Sequence, residues 1–245
     1  NLFNISVGGS MNDQTHFKNF QYNKGSGTDF LGFDNGLRSL NGGINATLRP
    51  MNNGYDLLNN GLNNDWSIKN RKPIADLSLS MNIAHRWVSE SGRTLAMLGA
   101  VNYSNTYKTY LNMDNNLYGA YDITHDRSNY LRKGVDDQYN HNVRVGAMLN
   151  LTYVPASGNN RYEFKNIFNQ LGKDRYTYRK GTDAQSDYEE SAEYYYQSRT
   201  TYSGQFTGKH TWSDTDKLDW SAGYSYANRN MPDRRRYNTV LNTDT

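Results

Sequence analysis

The chain has 245 residues, with 27 Lys and Arg against 24 Asp and Glu for a net charge of +3, and no cysteine. The missing cysteine excludes a disulfide framework, thiolate metal sites and a thiol nucleophile, and so small a charge gives little drive toward nucleic acid. Apolar residues make up 36%, unchanged if the 21 Gly are counted in place of the 21 Tyr; soluble domains run at about 45–50%, so a packed soluble core is starved.

Leu, Ile, Val and Phe total 43 residues, few enough to suggest disorder. Aromatics at 13%, only four Pro and a weak net charge argue for order instead. A polar, aromatic, Asn-rich chain of this kind fits β-structure with one greasy and one wet face. No run approaches the ~20 apolar residues of a transmembrane helix, and no charged-then-apolar signal segment opens the chain. Beginning at Asn1 rather than Met, it reads as an internal or processed piece.

Alternation with period 2 predicts strands near 3–12, 74–88, 95–110, 141–154, 161–176, 194–212 and 218–230. In the first, Phe3, Ile5, Val7, Gly9 and Met11 alternate with Asn4, Ser6, Gly8 and Ser10. The second sets Leu77, Leu79, Met81, Ile83, His85 and Trp87 on one face, and the third Leu95, Met97, Gly99, Val101 and Tyr103. Val143, Val145, Ala147, Leu149, Leu151 and Tyr153 follow, then Tyr162 and Phe164, where the alternation slips after Phe168 and predicts a bulge. The clearest run carries Tyr194, Tyr196, Tyr202, Phe206, His210 and Trp212 opposite Arg199, Gln205 and Lys209, and the last carries Leu218, Trp220, Ala222, Tyr224 and Tyr226.

Connections alternate between short ones, at 89–94, 155–160 and 213–217, and long ones, near 13–73, 111–140 and 177–193. Short turns on one rim and long loops on the other are the layout of an outer-membrane barrel. Ten residues from Tyr202 to Trp212, at ~3.3 Å each and a tilt of ~40°, rise about 25 Å, the height of a lipid-facing band. Trp87, Tyr153, Tyr162, Trp212 and Trp220 form one predicted aromatic girdle and Tyr103, Tyr107, Tyr194, Tyr196, Tyr224 and Tyr226 the other. Seven strands are an odd number with open edges, so the chain reads as one part of a larger antiparallel transmembrane β-barrel.

Four stretches carry a resemblance: Phe30 to Leu40 (FLGFDNGLRSL), Phe168 to Gly172 with Tyr176 to Arg179, Tyr194 to Lys209 (YYYQSRTTYSGQFTGK), and Asp219 to Tyr237. Together they resemble TonB-dependent outer-membrane receptors of the Bacteroidetes type. The resemblance implies a 22-stranded barrel, of which about seven strands are here, plugged by a separate N-terminal domain that is absent from this sequence. It also implies active uptake of a scarce ligand across the bacterial outer membrane. The implied partners are the TonB complex through that plug, the bilayer and lipopolysaccharide, and a surface lipoprotein. A passive porin or structural barrel is the alternative, and a soluble secreted β-rich binding protein a third reading.

Enzymatic patterns are lacking. The five His are scattered with no zinc-binding spacing, no nucleophile elbow or phosphate loop occurs, and no catalytic or metal residue is assigned. His85 and His210 read as interfacial rings near Trp87 and Trp212. Asp136-Asp137 and Glu189-Glu190 read as solvated loop acids rather than a carboxylate pair. Asp114, Asn115 and Asn116 offer oxygens for calcium in an outer loop, without the spacing of an EF-hand, and no other cofactor is implied. Arg234-Arg235-Arg236 reads as a basic loop base. Ligand contact falls to Tyr55, Trp66, Tyr118 and Tyr121, with Asn59, Asn60, Asn63 and Asn64 nearby, because rings stack and amides pair hydrogen bonds. Arg144, Arg199, Gln205 and Lys209 are predicted to face the lumen or plug, and the loops at 13–73 and 111–140 to build the external vestibule.

Overall fold

The computed structural model describes residues 1–39, 63, 65–183 and 187–241. They form eleven strands: β1 Leu2–Ser10, β2 Phe20–Tyr22, β3 Lys69–Arg71, β4 Asp76–Val88, β5 Thr94–Asp114, β6 Leu117–Asp122, β7 Arg127–Val154, β8 Asn160–Asp183, β9 Tyr188–Thr211, β10 Lys217–Asn230 and β11 Arg235–Leu241. One antiparallel sheet runs β1-β4-β5-β7-β8-β9-β10, with β6 beside β7 and β11 beside β9, while β2 and β3 make a separate ribbon. β5 and β6 lie end to end along β7, as β10 and β11 do along β9, so the sheet is seven strands wide. Among the described residues it is open: β1 pairs with β4 alone and β10 with β9 alone.

Turn chemistry sets the short connections. Gly92 (φ +81°) and Gly158 (φ +71°) supply left-handed backbone, and their amides donate to Ser89 and Pro155 at 2.9 and 3.0 Å. At the third turn the Ser213 hydroxyl accepts from the amides of Thr215 and Asp216.

Directly paired residues share a face, and the register assembles the apolar alternation into continuous rows. One row is Ile5, Met81, Val101, Ala147, Phe168, Tyr202 and Tyr226; another is Phe3, Ile83, Gly99, Leu149, Asn166, Gly204 and Tyr224. The row nearest the short turns is Trp87, Leu95, Tyr153, Tyr162, Gly208 and Trp220. There a Cβ on Gly208 would meet the Trp220 ring at 2.4 Å, so the glycine lets that indole lie flat on the sheet. This belt stays uncovered: Leu79, Val101, Leu149 and Phe206 are each about 40% exposed.

Three expectations are corrected. The span 111–140 is not a loop: β5 runs on to Asp114, β6 follows, and β7 starts at Arg127. Likewise β8 and β9 extend to Asp183 and from Tyr188, into the expected loop at 177–193. The belt-side positions of these extensions mix apolar and charged residues, such as Val135, Asp137 and Tyr139 on β7 and Tyr178, Lys180 and Ala192 beside them, so no clean apolar alternation reveals them. No bulge interrupts β8 near Phe168, for its pairing with β7 and β9 is continuous there. The slip arises because Gln170 holds a belt-side position and is buried by a segment packed over it.

That segment is a second layer. Residues 12–39, with 63 and 65–75, cover the upper sheet on the same side as the belt. Its core is Phe20 against Tyr139, Tyr176, Ala192 and Tyr194. Phe20 meets Tyr107 and Tyr139 edge to face at 5.3 and 5.5 Å. Tyr194 and Tyr196, expected in an outer aromatic girdle, are therefore buried, at 5% and 4% exposure.

Candidate functional site

The face opposite the belt is polar and bears a groove of about 730 Å³. Its residues come from six strands: Ser6 on β1, Ser78 and Ser80 on β4, Asn102 and Ser104 on β5, Arg144 on β7, Asn169 on β8, Arg199 and Thr201 on β9. One row crosses it through Ser78, Ser104, Arg144, Leu171, Arg199 and Arg229. Arg144 and Arg199 sit two strands apart, about 10 Å at the usual spacing, and Arg199 directly opposes Arg229. Gln205 and Lys209 share this face nearer the short turns, where Lys209 lies 3.9 Å from Asp219.

The acids of this face are engaged elsewhere. Glu163 binds Arg161 and Lys165 at 2.5 and 2.9 Å, Asp136 takes a two-point contact from Arg179 at 2.6 and 2.8 Å, and Glu193 takes Arg175 and Arg234. Asp76, at the end of the next row, accepts from the Tyr107 amide at 2.7 Å and from His16 at 3.2 Å. The His16 Nδ1 accepts from the Asn12 amide at 2.9 Å, so Nε2 carries the proton given to Asp76.

On the belt side the second layer is fastened by charge. Arg38 forks onto Asp29 at 2.8 and 2.6 Å, reaches Asp34 at 2.8 Å and stacks 3.8 Å above the Tyr196 ring. Burial opposes the Arg38 charge, but its bonds to Asp29 more than compensate and hold its pKa above the ordinary value. Burial pushes the Asp174 carboxyl up to about 6, with Asp29 adding to the effect and Arg38 opposing it. His141 is pushed down to about 3 by burial and by Arg71. Its Nδ1 lies 3.4 Å from the Arg71 guanidinium, which only donates, so Nε2 donates to Asn105 at 2.8 Å.

The predicted ligand residues are not brought together. Tyr55, Asn59, Asn60 and Asn64 lie outside the described residues. Trp66 packs edge to face on Tyr194 and Tyr237 beneath Arg235. Tyr118 and Tyr121 stand on strand β6, where Tyr118 meets Tyr130 at 4.9 Å and Tyr121 bonds Asp126. Asn63 bonds Asp233 at 2.7 Å. Arg144, Arg199, Gln205 and Lys209 do share one face. Sequence reasoning overlooked Arg229 and Lys108 there, although strand parity alone places them, and Lys173, which the expected slip after Phe168 turns to the other face.

Other candidates resolve into local roles. Asp136 and Asp137 are neighbours on β7 and Glu189 and Glu190 on β9, so each pair points to opposite faces and forms no carboxylate dyad. The Asn115 amide bonds Asp136 and Arg132, and Asn116 accepts from the Gly134 amide, tying the β5–β6 corner to β7. His85 lies 4.1 Å from Trp87, and His210 accepts from the Trp220 indole at 2.9 Å. Arg235 donates to the carbonyls of Asn63 and Asp65 at 3.2 and 2.7 Å and clamps the second layer to β11. Comparison with family models, with curated proteins and with solved structures finds no match for the chain.

Proposed function

We propose that this chain is part of the wall of a transmembrane β-barrel in a bacterial outer membrane, and that the barrel takes up a ligand with energy relayed through TonB. One observation carries the membrane reading. A seven-strand antiparallel sheet has rows of exposed Leu, Val, Ile and Phe on one face and a charged groove on the other. In water rows of exposed apolar side chains running across the sheet would drive association, whereas in a bilayer they are the lipid-facing band. The open edges support a larger barrel, since unpaired strand edges are not tolerated in lipid.

The transport half rests on the resemblance of the FLGFDNGLRSL and YYYQSRTTYSGQFTGK stretches to TonB-dependent receptors. The groove supports it, because a wall that lines a ligand path needs hydrogen-bonding groups on its inner face. Fractionation of the native protein tests the membrane half: it should leave the membrane only with detergent, and recovery in a soluble fraction would reject it. Uptake lost on removal of TonB, with the barrel still assembled, tests the other half; uptake that persists would mean a passive pore.

A further inference from the structure

The polar face carries more positive charge than its own acids neutralise, and the excess is concentrated at one level. Arg144, Arg199 and Arg229 share one row; Lys173 stands on β8 in the next row, between Arg144 and Arg199, and Lys108 on β5 in the row beyond. None of the five has a carboxylate within salt-bridge distance among the described residues. Acids bound this band below at Glu163 and above at Glu193 and Asp136, each already engaged by its own cations. Asp76, the acid at the edge of the band, is held by His16 and the Tyr107 amide.

Placing Arg199 directly across from Arg229 is unfavourable for a bare sheet, because opposed like charges repel. Such an arrangement is relieved by an anion between them. The groove beneath has the volume of a small-molecule site, and Asn102, Asn169, Ser104 and Thr201 add neutral donors around the guanidiniums. A guanidinium fork matches the oxygens of carboxylate, phosphate and sulfate alike.

We infer that this groove binds a small polyanionic ligand, one with two or more carboxylate, phosphate or sulfate groups spaced about 10 Å apart, held chiefly by Arg144 and Arg199. On the transporter reading, on which this inference rests, it makes the cargo an acidic molecule. It also makes the stripe an electrostatic guide along the inner wall.

Calorimetry on the full-length protein in detergent tests this, with inositol hexakisphosphate as the probe and inositol as its neutral counterpart. The hexakisphosphate should bind and inositol should not, with affinity falling steeply as salt rises. Arg144→Gln and Arg199→Gln should each weaken binding about tenfold or more, while Arg161→Gln, on the same face but outside the groove, should leave it unchanged. Arg199→Lys should retain part of the affinity, which a change caused by misfolding would not allow. Equal affinity for the two probes, or binding unaltered in Arg144→Gln and Arg199→Gln, overturns the inference. So does binding of polyglutamate in place of the hexakisphosphate, which would give the stripe to an acidic protein segment. The same preparation separates the two readings: a membrane protein that ignores the probe fails this inference alone, and a protein recovered without detergent fails the barrel.

Discussion

Gly32 and Gly172 meet backbone to backbone: a Cβ on Gly172 would lie 2.5 Å from the Cα of Gly32. The contact lets the Gly32 carbonyl accept from the Gln170 amide at 2.5 Å and the Ser198 hydroxyl at 3.1 Å, docking residues 26–38 onto β8 and β9. Gly172→Ala should push this segment away at a cost of about 1–3 kcal/mol. Limited trypsin digestion reads it out, with faster cleavage at Lys24 and Arg38 while the long strands stay protected. Gly32→Ala should do more harm, because φ there is +80°.

Arg38 is the lock of the same segment. Its side chain is 8% exposed between Asp29 and Asp34, and removing it strands two carboxylates near Asp174. Arg38→Met should cost about 3–5 kcal/mol of local stability, read as loss of hydrogen-exchange protection in residues 26–38. Arg38→Lys should fall between, since it keeps the charge and loses the fork.

Asp174 should make that layer sensitive to pH. Its folded pKa, near 6, lies above its ordinary 3.8, so its contribution is fully present below pH ~4 and is lost as pH rises through 6. Asp174→Asn should therefore be more stable than the parent at pH 8, with the advantage vanishing below pH ~4. Thermal opening of the layer at pH 4, 6 and 8 gives the comparison. His141 changes in the reverse sense, losing its contribution as pH falls from 6.5 toward 3, but it is common to both proteins and cancels.

Val101 and Asn102 are neighbours on β5 with opposite surroundings, the first in the belt and the second in the groove. On the barrel reading, Val101→Arg places a charge near the bilayer midplane and should cost about 2–4 kcal/mol of folding in lipid. Asn102→Arg should cost far less. Urea titration of the full-length protein in vesicles compares them, and equal costs would contradict a lipid-facing belt.

The belt was legible because one continuous apolar face writes a period of 2 directly into Leu77 to Trp87 and Val143 to Tyr153. The upper sheet was not, since its covered face mixes rings such as Tyr139 and Tyr178 with Asp137 and Lys180 and gives little contrast with Asp136 and Thr177 on the other. Tyr194 and Tyr196 were misassigned for a related reason. A tyrosine at a lipid interface and one beneath Trp66 or Arg38 look alike in one dimension, and the covering residues are more than 100 positions away. Of the groove, Arg144 and Arg199 followed from parity, but that they share a row with Arg229 depends on register, which only pairing fixes.

The pairing of β8 with β7 runs unbroken from Tyr162 to Asp183. One residue inserted in that span would turn every position beyond it to the other side, carrying Lys173 and Arg175 to the greasy face and Asp174 to the wet one. Natural variants of this sheet should therefore differ in strand length by twos, or hold their odd residues in the turns at 89–93, 155–159 and 212–216 or in a bulge such as that of β5 between Tyr110 and Met113. In this chain the length of a strand is quantised, and an odd residue must go to a corner or to a bulge.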